Sequence, residues 1–274
     1  MRRSAIVLAF CFCLASAFAS CQINDKYLKV YLDGVTERGR ALYAYDQAAW
    51  HGTDAFFALH PDTAGLTHYI CRKTASGWVV SFGKWNEAHD KFFVVYEADE
   101  SGKPGNYEAK KYDPPLDATN DLAAMERSLE LAGADFQRQK RPYNSAILQA
   151  PGGNLYVYFY PGQTKDTIWP LGGDVRYTIS ADGKQIIEKR LLHKTILDIE
   201  YKPEAHLEAG FHSHILSDLP EDTDVLYVLN RQPLIPEYIG TEKKLYVVNT
   251  DGTIEVAINK WLTPKAREEL RNNQ

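Results

Sequence analysis

The feature that most constrains the fold is a succession of short apolar runs separated by turn residues, which begins at residue 67. These runs lie at 67–71, 78–82, 92–96, 146–148, 155–160, 175–179 and 185–189. The pairs Asp182-Gly183 and Asp251-Gly252 separate later runs, and Asp-Gly between apolar segments is typical of β-hairpins. Aromatic residues make up 12% of the chain and suit half-buried strands. We therefore predict an α+β fold of mostly antiparallel strands with flanking helices.

Helical spacing of apolar residues occurs at 34–58 and 118–139, and Thr263-Pro264 is typical of the start of a C-terminal helix. Thr119 or Asn120 is the predicted cap of the second helix. Residues 22–33 are predicted to be a polar lead and a short apolar segment, and the Gly- and Pro-rich segment 99–115 is a predicted linker. These boundaries predict three regions: a signal peptide at 1–20, an N-terminal α+β region at 21–112 and a C-terminal α+β domain at 113–274.

The N-terminus has the three zones of a secretory signal peptide. Arg2 and Arg3 precede an apolar run at 5–14 and a small-residue segment at 15–20. The apolar run is too short for a membrane-spanning helix, which needs about 20 residues. A buried N-terminal helix is the alternative. We expect the chain to be exported.

Cys21 directly follows this segment. The sequence Phe18-Ala19-Ser20-Cys21 resembles a bacterial lipobox, which implies that Cys21 is lipidated and that the mature protein is a membrane-anchored lipoprotein of the cell envelope. Ordinary cleavage nearby is the alternative and predicts a periplasmic protein. With Cys21 acylated, Cys71 is a lone thiol that we expect to be buried. With Cys21 free, the two cysteines can pair in an oxidising compartment.

Charge disfavours one class of partner. The chain has 31 Lys and Arg residues against 36 Asp and Glu residues, and no basic cluster stands out. Nucleic-acid binding requires clustered cations that neutralise phosphates. We therefore expect an envelope protein or a peptide as partner, and no nucleic acid.

The segment 209–230 holds the most specific chemical pattern. A short predicted strand carries His212 and His214, and strand alternation places both side chains on one face. A helix is predicted to follow, with Asp218 as its cap, Glu221 at the capping-box position and Asp224 one turn further in. Two histidines and a carboxylate are a ligand set that zinc uses in catalytic sites.

The order His-Ser-His, a short loop and Pro-x-x-x-Asp resembles the core of JAMM/MPN-type metalloproteases. The resemblance implies that His212, His214 and Asp224 bind zinc and that a glutamate on an earlier strand activates water. Glu188, Glu200 and Glu204 are the candidates for that glutamate.

The chain also departs from the family pattern. Ile215 stands where the family has Pro, and Glu221 stands where it has the Ser that supports the oxyanion. These departures favour a non-catalytic or degenerate JAMM-like envelope domain that is used for binding. The alternative function is a zinc-dependent hydrolase of peptide or isopeptide bonds.

Three further features have two interpretations each. His193 either faces the same pocket as His212 and His214 or is a core histidine whose ring nitrogens are hydrogen-bonded, and the core role is favoured. Asp46, Trp50 and Asp54 share a helix face, which is more typical of a packing edge than of a site. The alternating tyrosines at 156, 158 and 160 either form a sugar-stacking platform or, as we favour, pack beneath a loop.

Overall fold

A long N-terminal helix is the first element of the computed structural model, which describes residues 25–137, 139–202 and 206–257. This helix, α1, spans Asp25–Ala58 and begins inside the segment predicted to be a polar lead. Leu28, Leu32, Val35 and Leu42 recur at helical spacing and are all buried. The prediction of 22–33 as a polar lead and a short apolar segment outside the helix is therefore wrong from residue 25 onward. The predicted signal peptide, Cys21 and the predicted C-terminal helix lie outside the described residues.

The first sheet confirms three predicted strands and replaces the predicted linker. It has the antiparallel order β1-β2-β3-β4, with bounds β1 Tyr69–Lys73, β2 Trp78–Trp85, β3 Phe92–Glu100 and β4 Tyr107–Asp117. The predicted linker at 99–115 is mostly β4, and Gly102 and Gly105 adopt positive φ in the turn before it. Pro114 and Pro115 are compatible with β4 because it is an edge strand, where an N–H group is not required.

Helix α2 (Thr119–Asp135) follows β4 and is shorter than predicted. The predicted cap at Thr119 or Asn120 is wrong, because the N-cap is Ala118, whose methyl side chain cannot accept a hydrogen bond. The Thr119 hydroxyl accepts from the backbone N–H of Phe92 at 3.0 Å. Leu122, Leu129 and Ala132 are buried against the strands.

The remaining strands form a second four-stranded sheet, a two-stranded ribbon and a third four-stranded sheet. The second sheet is antiparallel in the order β5-β6-β8-β9, and the ribbon pairs β10 with β7. The bounds are β5 Tyr143–Gln149, β6 Leu155–Pro161, β7 Ile168–Gly172, β8 Val175–Ile179, β9 Ile186–Leu191 and β10 Ile196–Glu200. A 3₁₀ turn, Pro151–Gly153, joins β5 to β6. The predicted Asp182-Gly183 hairpin is confirmed between β8 and β9.

The third sheet has the order β11-β12-β13-β14, and helix α3 (Asp222–Asn230) lies between its first two strands in the chain. The bounds are β11 Gly210–Ser213, β12 Glu237–Gly240, β13 Leu245–Val248 and β14 Ile254–Val256. β11 and β12 pair in parallel, whereas the other neighbours are antiparallel. The Asp251-Gly252 turn joins β13 to β14, as predicted. The α+β class with mostly antiparallel strands is thus confirmed.

Three clusters of buried residues hold these layers together. The first cluster joins α1 to the first and second sheets and includes the buried thiol of Cys71. The second cluster packs α2 against strands of the same two sheets. The third cluster packs α1 and α3 on the third sheet. β4 crosses the predicted boundary at 112/113, and all three clusters combine residues from both sides of it. The division into domains stays a prediction. Among the described residues, none of the helices is long and apolar enough to cross a membrane.

Two polar contacts fix α3 and α1 to their surroundings. Asp222, at the first position of α3, is fully buried and accepts from the guanidinium groups of Arg38 and Arg176 and from the hydroxyl of Tyr158 at 2.8–3.0 Å. Tyr160 donates to Asp46 of α1 at 2.7 Å. Tyr158 and Tyr160 are buried, so packing describes these two tyrosines better than a sugar platform.

Candidate metal centre

Four potential ligands converge from three segments of the chain. His193 lies just after β9, His212 lies on β11, His214 directly follows that strand, and Asp224 is in the first turn of α3. The backbone N–H of His214 donates to the carbonyl of Gly240 at 2.8 Å, so the pairing with β12 continues past the last residue of β11. His212 and His214 therefore share a face, as the alternation predicts.

The ligand atoms of the four residues all lie within 4.8 Å of one another. The Nε2 atom of His214 lies 2.9 Å from that of His193 and 3.1 Å from that of His212. Asp224 Oδ1 lies 3.1 Å from Nε2 of His193, 3.1 Å from Nε2 of His212 and 3.4 Å from Nε2 of His214. Three imidazole nitrogens and one carboxylate oxygen thus surround a common point.

The other ring nitrogen of each histidine faces an acceptor. Nδ1 of His193 lies 2.8 Å from Asp174, Nδ1 of His212 lies 2.9 Å from Glu237, and Nδ1 of His214 lies 2.9 Å from the carbonyl of Leu219. Carboxylate and carbonyl oxygens only accept, so each Nδ1 donates a proton. Histidines that bind metals are oriented by outer partners of this kind.

This arrangement determines what the centre can hold. A neutral imidazole with its proton on Nδ1 has a lone pair on Nε2. All three Nε2 lone pairs and the Asp224 carboxylate then face one another, which is unfavourable without positive charge between them. The Nε2 atoms of His193 and His214 are also too close for both to carry protons. A metal cation satisfies all four groups at once.

The spacing fits a small divalent ion. A tetrahedral zinc ion, with bonds of about 2.0–2.1 Å to nitrogen or oxygen, has ligand atoms about 3.3–3.4 Å apart. The five separations given above, 2.9–3.4 Å, are close to this edge length. The four residues are thus close enough to bind a metal ion, and their donor atoms are compatible with zinc.

Asp224 has a second role as part of the helix cap. Its Oδ2 accepts from the backbone N–H of Glu221 at 2.7 Å, and these two residues form a capping box. The prediction of Asp218 as the cap is wrong, because the helix begins at Asp222 and Glu221 is its N-cap. The cap orients the carboxylate of Asp224, so that Oδ1 points to the histidines.

Electrostatics reflect the crowded charges of the metal-free centre. Burial disfavours the charged form of His212 and by itself would lower its pKa. The carboxylates of Asp224 and Glu237 have the larger, opposite effect and raise the pKa of His212 to about 9. Burial is likewise outweighed at His193, where Asp174 and Asp224 raise the pKa well above its ordinary value. Burial would raise the pKa of Asp224, yet His193 and His214 hold it well below the usual range. Protons and a metal ion would therefore compete for the Nε2 atoms of His193 and His212.

A buried ion pair supports His212 from behind. Arg231 has no exposed surface and donates to Glu237 Oε2, while Glu237 Oε1 faces His212. The parallel pairing of β11 and β12 places Gly210 opposite Glu237. A Cβ atom at Gly210 would overlap the Glu237 carboxylate, so this close approach requires glycine.

The centre differs from the predicted ligand set by one residue. The structure brings His212, His214 and Asp224 together and adds His193, for which the sequence favoured a core role. A core role does not account for His193, because the residue is only partly buried and its Nε2 lies in the centre. Of the three glutamates suggested as activating base, Glu188 on β9 accepts from Thr178, Glu200 ends β10 outside the ligand group, and Glu204 lies outside the described residues.

Comparisons of the chain with protein-family models, with curated proteins and with solved structures found no match. The JAMM-like resemblance therefore stays a prediction. The function of the centre has to be inferred from its geometry.

Proposed function

We propose that this chain is an exported, non-catalytic envelope protein whose fold is completed by a buried zinc ion, held by His193, His212, His214 and Asp224. The observation that carries the proposal is the orientation of the histidines. Each ring donates from Nδ1 to an outer acceptor and presents the lone pair of Nε2 to the centre. Such a set of oriented nitrogens is the requirement for a metal site.

A structural role agrees best with the number and burial of the ligands. Structural zinc sites have four protein ligands, whereas catalytic sites keep one position open for water or substrate. The side chains of His212, His214 and Asp224 are at most 3% exposed, and that of His193 is 9% exposed. The ion would tie the loop after β9 and the strand β11 to the start of α3.

Zinc is the metal that the ligand chemistry favours. Imidazole suits zinc, copper, iron and nickel, and the carboxylate disfavours Cu(I), which prefers sulfur. The separations between ligand atoms are close to the edge length of a tetrahedron around zinc, and structural zinc sites are almost always tetrahedral.

The alternative, a zinc-dependent hydrolase, requires an open metal position and a carboxylate within reach of the bound water. Both oxygens of Glu237, the carboxylate behind His212, already have partners in His212 and Arg231. With four protein ligands in place, hydrolysis would require either a fifth coordination position or the loss of one ligand. This requirement favours the structural role.

The test is elemental analysis of the purified protein, together with thermal unfolding after metal removal and zinc addition. We expect about one zinc per chain. Free zinc at a hundredfold excess over the dissociation constant should stabilise the fold by about 2.7 kcal/mol. For a chain of this size this corresponds to an increase in Tm of about 5–11 °C.

Variants distinguish zinc binding at the centre from adventitious zinc binding elsewhere. His214→Ala should abolish stoichiometric zinc and the increase in Tm, whereas His206→Ala, at an exposed histidine, should change neither. A wild-type protein that neither contains nor responds to zinc would refute the metal centre. Peptide hydrolysis by the zinc-loaded wild type, absent in His214→Ala, would instead refute the structural role.

A further inference from the structure

A separate cleft of about 500 Å³ lies between α1, α3 and the strands β6 and β7. Its lining includes Asp46, Trp50 and Asp54, the helical stripe that the sequence favoured as a packing edge. Trp50 is 59% exposed, so this stripe instead faces an open cavity. Small-molecule sites combine such concave aromatic walls with a few convergent polar groups.

The charge of the cleft is one-sided. The described residues that line it include five aromatic residues and three aspartates, of which Asp174 is already paired with His193, and none of them is Lys, Arg or His. The donors to Asp46 are the neutral groups of Tyr160, Asn144 and Asn230, at 2.7–3.2 Å. These donors orient the carboxylate but carry no charge, and burial raises the pKa of Asp46 above its ordinary value, as expected for a carboxylate without a cationic neighbour.

A buried hydroxyl in the wall gives a second, independent sign of a ligand. Thr223 lines the cleft and is 4% exposed, and its Oγ1 has no hydrogen-bond partner. Buried polar groups in folded proteins almost always have partners. A polar group of a ligand in the cleft would supply the missing one.

We propose that this cleft binds a small organic cation of the alkylammonium type. Trp50 at the rim and Trp169 in the wall would contact its apolar body and attract its charge through their ring faces. Asp46 would balance the charge at the floor, and Thr223 would bond to a hydroxyl or similar group. Anionic ligands are disfavoured because the lining offers no cation. The proposal goes beyond the metal centre and does not depend on it.

The experiment uses two cations and their neutral analogues, measured by calorimetry on zinc-treated protein of known metal content. Choline is compared with 3,3-dimethyl-1-butanol, and benzylamine with benzyl alcohol. We expect at least one cation to bind about tenfold more tightly than its neutral partner, as a cation–π contact with a carboxylate behind it should give. Metal analysis of the same sample keeps this outcome distinct from that of the zinc proposal.

Variants locate the site. Asp46→Asn and Trp50→Leu should each weaken binding of that cation about tenfold. Phe57→Leu should not, since Phe57 is equally exposed on α1 and lies outside the cleft. Should Asp46→Asn fail to fold, Asp54→Asn at an exposed position of the same stripe replaces it. Two results would overturn the proposal. One is equal binding of the cations and their neutral analogues. The other is no binding of either cation at about 10 mM, a concentration above the roughly millimolar dissociation constants of weak ligands.

Discussion

Replacing Glu237 by Gln tests whether the outer partners of the histidines tune the centre. The carboxylate has two partners: Nδ1 of His212 at 2.9 Å and the buried guanidinium of Arg231. An amide has one oxygen and one NH₂ group, so it satisfies only one of them. If the NH₂ group faces His212, it requires the opposite tautomer, which places a proton on Nε2, the proposed metal ligand. If it faces Arg231, two donors meet in the core.

The expected magnitude depends on these contacts. Loss of an outer-shell partner lowers metal affinity by about 10- to 100-fold, or roughly 1.4–2.7 kcal/mol. Breaking a buried ion pair costs about 3–5 kcal/mol of folding free energy, and we expect about 3 kcal/mol because the amide keeps one hydrogen bond. Glu237→Gln should therefore lower both zinc affinity and the stability of the metal-free protein.

Competition with a chromophoric zinc chelator measures the affinity, and thermal unfolding with and without EDTA measures the stability. Glu188→Gln is the matched control, since Glu188 is exposed on β9 and contacts Thr178. Its zinc affinity should equal that of the wild type. If folded Glu237→Gln binds zinc within about threefold of the wild type, well short of the tenfold expected, Glu237 does not tune the metal affinity through His212.

Three further predictions concern pH, packing and the anchor. In the metal-free protein, the pKa of His212 is raised from 6.5 to about 9, so its contribution to stability is fully present below pH 6.5 and is lost as the pH rises through 9. Zinc affinity, which requires neutral imidazole, should rise over the same range, and titrations of Tm and of zinc binding against pH check both trends. Gly210→Ala should displace the Glu237 carboxylate and weaken zinc binding about tenfold in the chelator assay. Gly65→Ala, in a turn where a Cβ atom meets no neighbour, is the control for glycine replacement and should leave zinc binding unchanged. The mature protein should partition into detergent and lose this behaviour on Cys21→Ala; a wild type that stays in the aqueous phase would contradict lipidation.

Local sequence patterns are sufficient to predict part of the centre. His212 and His214 are two residues apart on a strand, so alternation alone places them on one face. The order of residues after this pair predicts Asp224 as a ligand, although the predicted helix cap at Asp218 is wrong. The strands that flank Asp182-Gly183 and Asp251-Gly252 are predictable because two adjacent residues encode each turn.

The remaining parts depend on contacts between distant segments. His193 enters the centre from a loop 21 residues before His214, and no local spacing links the two. Glu237 reaches His212 only because β11 and β12 pair in parallel across the intervening helix. The early start of α1 is an exception, because the helical spacing of Leu28, Leu32 and Val35 is present in the sequence, although the elements on which these residues pack lie about 190 residues later in the chain.

The capping box and the buried ion pair together enclose α3 in a ring of contacts. From the centre, the ring passes through Asp224, along the helix to Arg231, across to Glu237 and back through His212. Each residue added to a helix rotates the residues after it by about 100° and advances them by about 1.5 Å. An insertion or deletion within α3 would therefore direct Arg231 away from Glu237. The length of this helix is fixed from both ends, and relatives of this chain that keep the centre should vary in loop length before they vary here.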